Sequence, residues 1–77
     1  MKNLITAEIE GSKLTLLIEV NNEGFAFPTY FINGDEIGGL DNLKPIFKAA
    51  FTMLVAITCK ARGLKLYRAE KAIEPNF

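Results

Sequence analysis

Along the first half of the chain, apolar and polar residues largely alternate, the period-two pattern of strands with one covered face. Gly11-Ser12 reads as a two-residue turn and sets Ile9 opposite Leu14, Ala7 opposite Leu16 and Ile5 opposite Ile18, with Glu10 meeting Lys13 on the other face. Asn21–Gly24 reads as a four-residue loop that sets Val20 opposite Phe25, Ile18 opposite Phe27 and Leu14 opposite Phe31. One apolar face then runs across three strands. Pro28 has no amide to donate, so the third strand is expected to be an edge there or to carry a bulge. Asn33-Gly34 tolerates positive φ at both positions and predicts a further hairpin into a short strand around Glu36-Ile37, ended by Gly38-Gly39.

Beyond Gly39 the apolar spacing becomes helical. Asp41-Asn42 offers an N-cap, Pro45 suits the first turn, and Gly63 suits the position just past a helix ending at Arg62. Leu64 to Ala69 alternates again. The chain therefore reads as a single α+β domain over 1–77: an antiparallel β-meander of three to four strands (1–39), one long helix (41–62), and a C-terminal part (64–77) that is a fifth strand or a short helix plus tail.

Projected at 100° per residue, Lys44, Lys48, Thr52, Val55, Cys59 and Arg62 form one narrow strip of the helix, and nearly all the rest is apolar. Leu43, Ala50, Leu54, Ile57 and Ala61 mark the centre of that arc and are expected under the sheet. The arc is wider than one small sheet covers, which leaves Ile46 and Met53 as candidates for a contact with another protein or a second copy. The outer sheet face is expected to carry Glu8, Glu10, Thr15 and Glu19, with an apolar group of Leu4, Leu17, Tyr30 and Ile32 beside Pro28. The candidate protein-binding residues are thus Leu17, Tyr30, Ile32, Glu8, Glu19, Met53 and Ile46.

Net charge is zero, but residues 1–42 hold seven acids against two bases, and residues 43–77 hold seven bases against two acids. Lys60, Arg62, Lys65 and Arg68 cluster around Tyr67, a pattern that also suits nucleic acid. The pI of about 6.2 weighs against that reading. No signal-peptide pattern opens the chain, and the longest uncharged apolar stretch, Ala49 to Cys59, falls well short of the roughly 20 residues a membrane span needs. A cytoplasmic protein without membrane contact is expected.

Chemistry-bearing residues are sparse. There is no histidine and one cysteine, Cys59, so neither a histidine-activated nucleophile nor a thiolate zinc site can be assembled. Glu8, Glu10 and Glu19 share an open sheet face, which lacks the enclosed pocket that splits carboxylate pKa values. Neither a GxxxxGK[ST] nor a GxGxxG string is present, and Gly38-Gly39 ahead of the helix is the one backbone feature suited to an anion. Residues 28–43, PTYFINGDEIGGLDNL, resemble the glutathione-binding segment of glutaredoxins, which runs from a cis-proline through a Phe-Ile-Asn-Gly hairpin and Ile-Gly-Gly to an Asp-capped helix. The resemblance implies that Pro28 and Asp41 line a glutathione cleft. It covers about a fifth of the chain, and no cysteine precedes it.

The expectation that follows is a non-catalytic protein-binding module: an accessory factor or inhibitor of a larger partner, with a nucleic-acid-binding protein among the partners that its acidic sheet face would suit, of the size mobile elements encode. No cofactor, metal or catalytic residue is expected. Nucleic-acid binding through the basic C-terminal half, and a homodimer through the helix, are the alternatives.

Overall fold

A computed structural model describes residues 2–66. The class is α+β: an antiparallel meander of β1 (Lys2–Ile9), β2 (Ser12–Val20), β3 (Phe25–Ile32) and β4 (Asp35–Ile37), then helix α1 (Pro45–Arg62), then β5 (Lys65–Leu66). The strand order is β1-β2-β3-β4, and β5 pairs parallel with β3 at Phe25 and Ala26. Of the expected fifth strand over Leu64–Ala69, residues 65 and 66 are strand and 67–69 lie outside the described residues.

The first hairpin turns at Glu10-Gly11, one residue earlier than expected. Both residues have positive φ, 51° and 80°, the type I′ geometry whose twist matches the flanking strands. Glycine takes the second central position, where the alternative turn would have put Ser12. The register is therefore Ile9–Ser12, Ala7–Leu14, Ile5–Leu16 and Asn3–Ile18, two residues from expectation, and Lys13 meets Glu8 rather than Glu10. A shift of two keeps every side chain on its face. Leu14, Leu16 and Ile18 are fully buried beneath the helix.

The second hairpin departs by one residue, and that exchanges the faces of β3. Asn21 donates its N–H to the Phe25 carbonyl (3.0 Å), and its Oδ1 accepts from the amides of Glu23 (2.9 Å) and Phe25 (3.0 Å). Gly24 follows at φ 85°, so the connection closes as a three-residue loop with a left-handed glycine. Val20 then pairs with Ala26, Ile18 with Pro28, Leu16 with Tyr30 and Leu14 with Ile32. Ala26, Tyr30 and Ile32 belong to the core side, whereas Phe27 and Phe31 share the outer face with Glu19 and Thr15. The expected outer positions of Tyr30 and Ile32 are thereby corrected. At the far end, Asn33 locks the new register: its N–H donates to the Lys13 carbonyl (2.8 Å) and its Oδ1 accepts from the Lys13 amide (2.9 Å). Asn33-Gly34 forms the expected turn, with φ of 52° and 89°.

Hydrogen-bonded and open pairs alternate along a ladder, so Asn33–Lys13 makes Ile18–Pro28 an open pair. Pro28's missing amide falls on the other edge of β3, between Ala26, the last residue paired with β5, and Tyr30, the first paired with β4. No bulge is needed.

The helix starts at Pro45 rather than near Asp41. Proline disfavours helical backbone in the residue before it, so Lys44 becomes the N-cap (ψ 145°), and it makes no side-chain cap bond. At the other end Gly63 is left-handed at φ 66°; Leu64 donates to the Cys59 carbonyl (2.9 Å) and Gly63 to that of Lys60 (3.4 Å), the paired bonds of a Schellman motif. The buried helix residues are Phe51, Val55 and Cys59; of the set expected under the sheet, Leu43, Ala50 and Leu54 are half-buried against the core, whereas Ile57 and Ala61 are exposed. Lys44, Lys48 and Arg62, which made that strip look polar, sit at the helix ends where long side chains reach water. Phe51 packs edge-on to the Tyr30 ring at 5.1 Å between centroids.

Candidate interaction surfaces

Rotating the helix to bury Phe51, Val55 and Cys59 turns a different row outward. Ile46, Met53 and Ile57 are 43%, 62% and 58% exposed, and Ala49 and Ala56 are exposed between them. These positions are spaced three or four apart and therefore line one helix face. Ile57 lies away from its expected sheet contact, and Ala49 and Ala56 join it in a seam that only the buried side of α1 defines. The helix carries Lys48, Lys60 and Arg62 and no acid. Lys48 lies 3.8 Å from Asp41, whose carboxylate is almost fully exposed.

The outer sheet face holds a second apolar group. Leu4 stands opposite Leu17, and Leu17 opposite Thr29. Phe27 and Phe31 flank Thr29 on the same face. Leu4 is 67% exposed, while Leu17 and Phe31 are half-buried. The group differs from the expected one by the β3 exchange: Phe27 and Phe31 replace Tyr30 and Ile32. Its charges are partly self-satisfied. Glu19 Oε2 is 3.7 Å from Lys2 Nζ, and Glu8 sits opposite Lys13.

Of the candidate nucleic-acid residues, Lys60 and Arg62 are exposed on the last helical turn, and Lys65 Nζ lies 5.9 Å from the centroid of the Phe25 ring. Tyr67 and Arg68 lie outside the described residues.

Cys59 is buried, and burial pushes its thiol above the ordinary value of 9.0, away from the thiolate form a nucleophile or metal ligand needs. Among the described residues no group of three or more potential metal ligands converges, and no helix is long and apolar enough to cross a membrane. The segment that resembles glutaredoxins forms a hairpin and a shallow hollow lined by Ile37, Gly38, Gly39, Asp41, Asn42 and Leu43. Pro28 lies within β3 in a trans peptide bond, on the core side opposite Ile18, and Asp41 caps no helix. The two residues that would line a glutathione cleft are thus not arranged as that resemblance implies. No family model, no curated protein and no solved structure matches the chain.

Proposed function

We propose that this chain is a small non-catalytic protein-binding module, an accessory factor or inhibitor that docks the outward face of α1 into an apolar groove on a larger partner. The observation that supports it is the row Ile46, Ala49, Met53, Ala56 and Ile57, exposed on the side of the helix opposite its core contact. Large and small residues alternate along the row, which lets a groove approach closely at the alanines and receive Met53 and Ile57 as anchors. Lys60, on the same helix face at the C-terminal end of the row, favours a partner with an acidic rim there; such charge governs partner choice and association rate. A second copy is a poorer occupant of this face, because its helix carries no acid to meet Lys60. A cytoplasmic setting, which keeps a lone thiol such as Cys59 reduced, suits the proposal.

The test is capture from nuclease-treated lysate by the wild type, Met53→Glu and Ile57→Lys. Both positions are exposed, so the fold should survive, with stability changes within about 0.5 kcal/mol. One stoichiometric protein held by the wild type and bound roughly 30-fold or more weakly by each variant is expected. A partner that both variants retain would sink the helix face as the site. Partners lost on nuclease treatment would shift the site to Lys60, Arg62 and Lys65.

A further inference from the structure

The outer edge of β1 carries a different and independent inference. β1 is eight residues long and pairs with β2 at every position from Lys2 to Ile9 without a bulge. Among the described residues nothing pairs with its other edge. Of the usual protections of an edge, β1 has no short length, proline, bulge or inward-pointing charge; its charges are Lys2 and Glu8, of opposite sign, on the outer face near its two ends. Its inward side chains are Asn3, Ile5, Ala7 and Ile9, all half-buried, because α1 packs on β2 and β3.

The two-residue turn makes Ile9–Ser12 a hydrogen-bonded pair, so the odd residues of β1 bond to β2. The backbone groups of Lys2, Leu4, Thr6 and Glu8 therefore point outward along the free edge. We infer that this edge pairs antiparallel with β1 of a second copy, about a twofold axis at Ile5. In that register Lys2 faces the second copy's Glu8, Leu4 faces the second copy's Thr6, and Ile5 faces its own counterpart on the core side. Every outward-pointing residue lies in a hydrogen-bonded pair, giving about eight new backbone bonds.

Charge selects this register. On the outer face Lys13 stands beside Glu8, and Lys2 beside Glu19. Pairing the edges joins the two sets into one row across four strands: Lys13, Glu8, the second copy's Lys2, the second copy's Glu19. Signs alternate throughout, and symmetry repeats the row at the other end. Sliding by two residues in either direction breaks both rows. The product is one continuous sheet through both copies, with the α1 faces free for other partners.

The test is sedimentation of the full chain, with Lys2→Glu, Glu8→Lys and an equimolar mixture of the two variants. Lys2 and Glu8 are both exposed, so folding, checked by circular dichroism, should persist. The wild type is expected to dimerise, each variant to dissociate about tenfold more readily, and the mixture to recover wild-type affinity, because only the heterodimer restores opposite signs at both ends. A wild-type monomer at high micromolar concentration overturns the inference, as does a dimer indifferent to both charges. A dimer abolished only by Met53→Glu puts the contact on the helix instead. Slow amide exchange at Leu4, Thr6 and Glu8 in a monomer shows that residues 67–77, not a second copy, cover the edge.

Discussion

Tyr30 and Phe31 are neighbours in the chain but lie on opposite faces of the sheet, and their substitutions should differ accordingly. Tyr30 sits edge-on to the fully buried Phe51, whereas Phe31 shares the outer face with Thr15. Tyr30→Ala is expected to cost about 2 kcal/mol, less than a fully buried aromatic because the ring is half-exposed, while Phe31→Ser costs under about 1 kcal/mol. Urea unfolding of the two variants checks this, and the opposite ranking would restore the register in which Phe31 faces Leu14. Asn21 is why sequence reading misses the exchange. Its side chain closes the loop through two amides, and a polar side chain engaged with backbone leaves no trace in an apolar pattern. Cys59 gives a pH prediction. Its thiol is raised in the folded state by burial, so above the ordinary value of 9.0 the folded state holds more protons than the unfolded state. Stability is therefore lost as pH rises past that point. Thermal unfolding across this range should show a steeper decline for the wild type than for Cys59→Ala, and equal slopes would mean the thiol is hydrated.

At the scale of elements, the strands, the Asn33-Gly34 turn and the end of the helix are legible in the sequence because each depends on backbone preference at one or two positions. Gly63 is such a position. Gly63→Ala, forced to φ 66°, is expected to cost about 1 kcal/mol, measurable in the same unfolding series. The start of the helix was displaced because Asp41 and Asn42 are attractive caps, yet Pro45 dictates that the residue before it stays extended. Which side of α1 is buried was harder to read. Alanine and isoleucine fill so much of the helix that apolarity alone does not orient it, and lysines at the ends masked the Phe51–Val55–Cys59 stripe.

For the whole molecule, the topology was written in the turns, while the surfaces depended on two rotations the sequence left open: the face of β3 and the face of α1. Correcting both moves Tyr30 and Ile32 inward and brings Ile57, Phe27 and Phe31 outward. Met53 and Ile46 remain exposed after either rotation, so the helix seam carries the functional proposal better than the sheet patch does. The most direct measurement is photo-crosslinking in cells, with a photoreactive residue placed at Met53 and, in a separate protein, at Leu4. One discrete protein adduct from position 53 that is absent from position 4 is the expected result. An adduct from position 4 alone, or none at 53, would contradict the helix face as the surface through which this protein acts.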